Sequence, residues 1–251
     1  MERKYGLIGF PLSHSFSKGF FAEKFAKEHI VNTQYENYPI ESVDQFHQLW
    51  QQEPQLEGMN ITIPHKKAVI PFLDHASTVV NAINACNCIR KYNGKLYGYN
   101  TDVIGFEKSL QPFLKPHHQK ALILGTGGAA AAVAWVFQKL GISFKYVSRS
   151  SNGEEVISYE ALNNTILHEH HLIINTSPVG MYPHVNEAPA LNYEALTDKH
   201  HLYDLIYNPA ETLFLTKGKE RGASIQNGLE MLHLQAEASW EIWNSATPFV
   251  Q

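Results

Sequence analysis

The sequence predicts an α/β protein of two domains, and three features lead to that prediction. Short apolar segments that suit buried strands alternate with segments whose apolar residues recur at helical spacing. Residues 121–136 join an apolar strand, a glycine-rich turn and an alanine-rich helix in direct succession. Residues 112–119 contain two prolines, two histidines and a lysine, which is typical of a linker. We therefore place a domain boundary between Asp102 and that stretch.

The composition is that of a globular protein, with 44% hydrophobic and 18% charged residues among 251. A formal net charge of -4 provides no basic surface for nucleic acid. No apolar run is long enough to span a membrane. The N-terminal residues lack the apolar core of a signal peptide, so we expect a cytoplasmic protein.

The cysteines and histidines form no metal-binding pattern, so no metal site is expected. Cys86 and Cys88 are one residue apart and have no second Cys or His pair at ligand spacing. Neighbouring histidines point to different faces of a strand or helix. We expect the adjacent pairs to be solvated in loops and at helix ends: His117–His118, His170–His171 and His200–His201.

The N-terminal part alternates strands and helices. Strands are predicted at 5–10 and 35–40, and helices at 16–29 and 42–52. Ser15 and Ser17 stand at the start of the first helix, where a hydroxyl group often caps the free N–H groups. The same groups also bind anions, and the spacing does not choose between the two roles.

A second polar group lies around the strand at 59–63. Met59, Ile61 and Ile63 mark its buried face, and Asn60 and Thr62 lie on the other. Pro64 ends the strand, and Lys66 is predicted in the first turn of the next helix. A solvated surface lysine is the simple interpretation. However, Lys66 is expected to lie with Asn60 and Thr62 at the carboxyl end of one strand. Ligands bind at this end of the strands in open α/β sheets, which favours a binding site.

Asp102 follows a predicted helix at 75–83, a strand from 84–89 and a hairpin around Asn93-Gly94. It opens a helix, so N-capping is its simplest role.

The glycine turn at 125–128 has the pattern that holds a dinucleotide pyrophosphate. Gly125 permits the tight turn and Gly127 lets the backbone approach phosphates. Ala130 replaces the glycine that usually allows close helix–strand packing. The helix start offers free N–H groups and a partial positive charge. A tight turn that binds nothing is the alternative, which the flanking strand and helix disfavour.

The next strand, 144–147, ends in Ser148-Arg149-Ser150 and indicates which dinucleotide binds. An acidic residue here would hydrogen-bond the ribose of NAD, whereas an arginine pairs with the 2′-phosphate of NADP. The sequence therefore favours NADP, and Glu154 folding back would favour NAD. Further strands are predicted at 172–174 and 201–207, and helices at 211–221 and 229–243.

Taken in order, eight stretches resemble the shikimate dehydrogenase family over nearly the whole chain. They are GFPLSHSFS (9–17), NITIPHK (60–66), ACN (85–87), GYNTD (98–102), the glycine turn, NTSPVGM (175–181), YDLIYNP (203–209) and GLEMLHLQA (228–236). Each motif alone is modest, but eight in the family's order are highly specific.

The resemblance implies an open α/β substrate domain at 1–104 and a Rossmann-type NADP-binding domain at 105–226. A C-terminal helix, 227–251, would return to the first domain. The implied activity is reversible NADPH-dependent reduction of 3-dehydroshikimate to shikimate in chorismate and aromatic amino acid biosynthesis, by a monomer or homodimer. The alternatives are a quinate/shikimate dehydrogenase with relaxed cofactor use and a non-catalytic NADP-binding sensor.

The resemblance also implies the site residues. Lys66 and Asp102 would be the catalytic pair. The substrate would contact Ser15, Ser17, Asn60, Thr62, Asn87, Thr101, Tyr207 and Gln235. The cofactor would contact Gly125, Thr126, Gly127, Gly128, Ala129, Ser148, Arg149, Ser150, Thr176, Ser177 and Gly228.

The residue types suit the reaction. A lysine is almost entirely charged at neutral pH, and an ammonium both donates a proton and stabilises a developing alkoxide. We expect Asp102 mainly to orient Lys66 and a substrate hydroxyl. One departure concerns the glycine motif, whose seventh residue is often arginine or lysine in the family and is Ala131 here. One cofactor contact is therefore expected to be missing.

Overall fold

A computed structural model describes residues 2–12, 15–150 and 155–248 and divides the chain into two compact units. The first unit comprises 1–104 and 235–251, and the second comprises 105–234. The C-terminal helix, predicted from residue 227, contributes to the first unit from Gln235 onward. Gly228 belongs to the second unit, where its N–H donates to the Ile206 carbonyl at 3.1 Å.

The first unit is built on a sheet of six strands: β1 (Arg3–Gly9), β2 (Thr33–Pro39), β3 (Leu56–Ile61), β4 (His75–Ala76), β5 (Cys88–Tyr92) and β6 (Lys95–Tyr99). The sheet is mixed, and its order is β2-β1-β3-β5-β6-β4. β1 pairs in parallel with β2 and β3, β5 runs antiparallel to β3 and β6, and β4 is parallel to β6. The helices are α1 (Phe16–Lys27), α2 (Phe46–Gln52), α3 (Thr78–Ile83) and, from Gln235 onward, α8 (Leu229–Asn244).

Side chains alternate between the two faces of this sheet along each strand, and both faces are covered. On β1, Tyr5 packs with Phe21 and Trp243 of the helices on one face. Ile8 joins the cluster on the other face. The Trp243 indole anchors α8, since its ring stacks on Tyr5 at 4.7 Å and its Nε1 donates to the Ile89 carbonyl at 3.0 Å.

The second unit is built on a sheet of six strands: β7 (Lys120–Leu124), β8 (Ser143–Ser148), β9 (Val156–Ser158), β10 (Leu172–Asn175), β11 (His201–Asp204) and β12 (Ser224–Gln226). The sheet is fully parallel, and its order is β9-β8-β7-β10-β11-β12. Its helices are α5 (Gly128–Leu140), α6 (Asn164–Glu169) and α7 (Leu213–Glu220), and α4 (Asp102–Leu110) leads into it. The chain reverses direction across the sheet between β7 and β10, which makes this a Rossmann arrangement with its switch point there. The predicted fold class is confirmed.

Three predicted elements differ from the structure. Lys66 lies in a turn rather than a helix, and only a short 3₁₀ segment, Ile70–Phe72, follows it. The helix predicted at 75–83 begins only at Thr78, because the Ser77 hydroxyl caps it by accepting from the Val80 N–H at 3.3 Å. The strand predicted at 201–207 ends at Asp204, whose carboxylate turns the chain by accepting from the Ile206 N–H at 3.0 Å.

The prediction that the paired histidines are solvated is wrong for most of them. His118, His170, His200 and His201 are each 5% exposed or less. Their ring nitrogens find partners inside the second unit, as when His200 Nε2 lies 3.0 Å from the Leu167 carbonyl and His118 Nε2 lies 3.2 Å from that of Lys199. Neutral imidazole is buried at low cost when both ring nitrogens are hydrogen-bonded.

Across 2–12, 15–150 and 155–248, none of the helices is long and apolar enough to cross a membrane.

Candidate active site

Lys66 and Asp102 form an ion pair in the first unit, with 2.6 Å between Nζ and Oδ2. The Lys66 turn is tied to the chain before β5, because the Lys66 carbonyl accepts from the Cys86 N–H at 2.7 Å. Asp102 is the first residue of α4, where the helix dipole favours a carboxylate. The Lys66 side chain is 31% exposed and that of Asp102 is 16% exposed. A proton donor and its carboxylate partner are therefore fixed where a ligand can reach them.

Asn87 and Thr101 are locked together beside this pair. The Asn87 Oδ1 accepts from the Thr101 N–H at 2.6 Å, and Asn87 Nδ2 lies 3.1 Å from Thr101 Oγ1. Both residues are buried, Thr101 completely. Since Thr101 directly precedes Asp102, this contact also fixes the start of α4.

Asn60 connects these residues to the rest of the first unit. Its Oδ1 accepts from the Tyr35 hydroxyl at 3.0 Å, and its Nδ2 donates to the Ser239 hydroxyl at 2.8 Å. The Thr101 hydroxyl reaches Gln235 Oε1 at 3.4 Å. The structure thus brings together Asn60, Asn87, Thr101 and Gln235, four of the five residues that the resemblance implied around the substrate ring.

Ser15 occupies the cap position of α1 but its side chain makes no capping hydrogen bond. Its Oγ is buried and has no hydrogen-bond partner within the described part of the chain. Buried hydroxyls in native structures normally have a partner, so this one is suited to a bound acceptor such as a carboxylate. Burial raises the pKa of the Tyr35 hydroxyl, and the neighbouring Ser17 side chain offsets part of that rise.

The two remaining predicted substrate residues lie in different units. Thr62 continues β3, with its N–H donating to the Ile8 carbonyl at 2.9 Å. Tyr207 follows β11 in the second unit and is 38% exposed. Their contacts with a substrate stay predictions.

The glycine turn in the second unit has the shape that a pyrophosphate requires. Gly125 has a φ of +117°, and a Cβ on it would lie 2.8 Å from Thr176 Oγ1. In contrast, a Cβ on Gly127 or Gly128 would meet nothing within 4 Å. Gly127 caps α5 with no side chain, and the Cβ positions of Gly127 and Gly128 at the helix start are open. The site fits a dinucleotide phosphate.

The residues around this turn are arranged as a Rossmann site needs. Thr126 and Ala129 are exposed, whereas Ala130 is fully buried against the sheet, as its place in the motif requires. Thr176 closes the switch point, since its Oγ1 donates to the Leu124 carbonyl at 2.8 Å. Ser177 Oγ donates to Asn175 Oδ1 at 2.7 Å.

The three residues predicted to contact the 2′-phosphate lie at the end of β8 and directly after it. Ser148 is half-buried, and Arg149 and Ser150 are exposed. Glu154, the residue that would favour NAD by folding back, lies outside the described residues.

Gly228 has a packing role that the motif alone does not reveal. A Cβ at this position would lie 2.1 Å from the Leu205 carbonyl oxygen. Only glycine allows this close approach of two backbone segments.

Sequence reasoning missed three polar residues that organise the two sites. Tyr35 and Ser239 hold Asn60, and buried Asp204 holds Asn175 Nδ2 at 3.0 Å and the Thr212 hydroxyl at 2.6 Å. Burial raises the pKa of the Asp204 carboxyl to about 6. One available signal was the spacing of Gln235 and Ser239, which places both on one face of α8.

The part of the chain that the structure describes holds no cluster of three His, Cys, Asp or Glu side chains able to bind a metal ion.

Comparisons with known proteins agree with this geometry. Residues 7–89 match the shikimate dehydrogenase substrate binding domain. The NADP(+) shikimate dehydrogenase of Carboxydothermus hydrogenoformans is 35% identical, over 98% of this chain and 93% of that protein. That of Geobacillus kaustophilus is 35% identical over 100% and 95%. The crystal structure of the Thermus thermophilus enzyme in complex with NADP(H) and shikimate has a TM-score of 0.86 at 27% identity, covering 98% of this chain and 95% of that one.

Relatives at this identity over nearly the full length show the family. The parallel sheet with its glycine turn and the Lys66–Asp102 pair agree with it. The chain belongs to the shikimate dehydrogenase family.

Proposed function

We propose that the chain catalyses the reversible, NADPH-dependent reduction of 3-dehydroshikimate to shikimate, a step in chorismate and aromatic amino acid biosynthesis. The observation that carries the proposal is the Lys66–Asp102 pair, with 2.6 Å between Nζ and Oδ2. Its neighbours Asn87 and Thr101 offer the amide and hydroxyl groups that suit a polyhydroxylated ring.

The reaction needs a proton as well as a hydride. NADPH, when bound, supplies the hydride to the C3 carbonyl carbon. The Lys66 ammonium donates a proton to the carbonyl oxygen and stabilises the negative charge that develops there. In the reverse direction, the neutral Lys66 amine accepts the hydroxyl proton and becomes the ammonium again, while the hydride passes from the substrate carbon to NADP. Asp102 holds the lysine in place and accepts a hydrogen bond from a substrate hydroxyl.

Several groups, all but Tyr207 in the first unit, are proposed to bind the substrate. Ser15 supplies a hydroxyl to the substrate carboxylate, a role that its unpartnered, buried Oγ supports. Ser17 and Tyr207 assist there. The ring and its hydroxyls are surrounded by Asn60, Thr62, Asn87, Thr101 and Gln235.

The cofactor is proposed to bind along the carboxyl edge of the second sheet. The turn at 125–129 holds the pyrophosphate, and Arg149, with Ser148 and Ser150, holds the 2′-phosphate of the adenosine ribose. Thr176, Ser177 and Gly228 complete the site.

The test is an absorbance assay of NADPH formation with the purified chain. Shikimate and quinate are each supplied with NADP and with NAD. We expect turnover with shikimate and NADP that exceeds every other combination. Comparable turnover of quinate with NAD would instead favour the relaxed quinate/shikimate dehydrogenase. Cofactor binding without turnover of any substrate would favour the sensor and contradict the proposal.

We also propose a location in the cell and an assembly for the chain. A cytoplasmic location is supported by Cys86 and Cys88, which are buried and free, as in a reducing compartment. We keep a monomer or homodimer as the expected assembly, which light scattering of the purified chain would measure.

A further inference from the structure

The hydroxyl group of Ser239 is the junction of a buried hydrogen-bond network in the first unit. Ser239 lies on α8 and is 0% exposed. Its Oγ donates to the Gln235 carbonyl at 2.9 Å and accepts from Asn60 Nδ2 at 2.8 Å. Thr101 Oγ1 lies 3.3 Å from it. One hydroxyl group therefore joins α8 to β3 and to the residue that precedes α4.

The orientation of the Asn60 carboxamide is fixed by its partners. Asn60 Nδ2 lies 3.3 Å from the Asn87 carbonyl, which can only accept, so the amide nitrogen must face it. The Oδ1 then faces the Tyr35 hydroxyl, which must donate. The Asn60 N–H groups are thus committed to Ser239 and Asn87, and none is left over for a substrate.

We propose that Ser239 and Tyr35 are positioning residues of the substrate site, which act through Asn60 and Thr101. The inference rests on the function proposed above. Asn60 then links Ser239 to Tyr35 next to the proposed substrate ring, and its N–H groups donate no hydrogen bond to that ring.

The network is connected to the reacting groups by short steps. Thr101 is followed directly by Asp102, which holds Lys66 at 2.6 Å. Thr101 also shares the Asn87 carboxamide and reaches Gln235 Oε1. A loosened Ser239 junction therefore displaces several proposed substrate contacts at once, while the second unit is untouched.

The first variant is Ser239→Ala, which leaves the Asn60 amide and the Thr101 hydroxyl each short of one partner. We expect the KM for shikimate to rise about fivefold to tenfold, the equivalent of one lost net hydrogen bond. The KM for NADP should stay unchanged, and kcat should fall less than the shikimate KM rises. Tyr35→Phe should shift the shikimate KM in the same direction, because Asn60 Oδ1 loses its donor.

Ser109→Ala is the matched control. Ser109 is also a buried helix serine, at 2% exposure, whose hydroxyl lies 3.1 Å from the Phe106 carbonyl and 2.6 Å from the Tyr203 hydroxyl. It lies in the second unit and outside both proposed sites. We expect it to lower the urea midpoint about as much as Ser239→Ala does, without a change in the shikimate KM.

A double-mutant cycle identifies the residue through which Ser239 acts. In an Asn60→Ala background, Ser239→Ala should raise the shikimate KM clearly less than in the wild type. Equal effects in the two backgrounds, an unchanged KM in Ser239→Ala, or parallel shifts in the KM for shikimate and for NADP would each overturn the positioning role. A wild-type chain that does not turn over shikimate overturns the proposed function as well, so the two failures are distinguishable.

Discussion

Lys66 is held 2.6 Å from Asp102 in a pair that solvent can reach. Exposed ion pairs contribute only about 0–1 kcal/mol to stability. The pair is therefore worth more for placing an ammonium group than for holding the fold together. Ser15 supports the same interpretation, since its buried hydroxyl lacks a partner within the described residues. At the scale of single residues, the first unit carries groups that its own packing does not require.

Arg149 is the residue that should decide between the two dinucleotides. Arg149→Ala removes the guanidinium proposed to pair with the 2′-phosphate. Because a charge-assisted hydrogen bond contributes about 1.5–3 kcal/mol, the KM for NADP should rise roughly tenfold to a hundredfold. Steady-state kinetics with NADP and with NAD measure the effect.

Arg221→Ala provides the control, because Arg221 is an exposed arginine of the same unit that pairs with Glu194. It should leave the KM for NADP unchanged. If Arg149→Ala left the KM for NADP unchanged, the structure would give no reason to expect NADP rather than NAD.

At the scale of elements, the glycine turn was predictable because its chemistry is local. The strand, the positive φ at Gly125 and the start of α5 all follow from neighbouring residues. Lys66 was misplaced in a helix because tertiary contacts, such as the Cys86 N–H on its carbonyl, hold that segment as a turn.

Gly228, directly before α8, lies against the backbone of Leu205, which follows β11. Gly228→Ala would place a methyl group 2.1 Å from the Leu205 carbonyl oxygen. Overpacking of this kind costs about 1–3 kcal/mol, so we expect a lower urea midpoint.

Gly19→Ala is the same substitution at an open position of α1, where a Cβ meets nothing within 4 Å. It should stabilise the chain by up to about 1 kcal/mol, because alanine is the better helix former. Equal midpoints for the two variants would show that the contact at Gly228 relaxes without cost.

At the scale of the whole molecule, the buried histidines predict acid sensitivity of the second unit. The Lys115 N–H donates to His118 Nδ1 at 3.2 Å, so the ring must be neutral to accept. Burial lowers the pKa of His118 and of His201 to about 4. The sequence could not reveal this, because burial of the pairs depends on how distant strands meet.

The direction in which stability changes with pH follows from the number of protons that the folded and unfolded states bind. Histidine in an unfolded chain has a pKa of about 6.5, so between pH 6.5 and 4 the unfolded state binds more protons and stability falls as pH falls. Asp204 acts oppositely, because its carboxyl pKa is raised to about 6 in the folded state. Two histidines with larger shifts outweigh this one carboxyl group, so the net change is a loss of stability.

Urea unfolding at pH 7.5 and at pH 5 measures this loss. His201→Gln should lose less stability than the wild type across that interval. His168→Gln, at an exposed position of α6, should lose as much as the wild type. The same loss in all three proteins would contradict a role for the buried rings.

The proposed chemistry is tested most directly by the turnover number of Lys66→Met with shikimate and NADP, measured beside that of Lys67→Met. Lys67 is the exposed neighbour and serves as the matched control. Because a positioned proton donor contributes about 10²–10⁴-fold, we predict a fall in kcat of at least about a hundredfold for Lys66→Met, with near-normal turnover for Lys67→Met. Near-normal turnover by Lys66→Met would contradict the proposed chemistry.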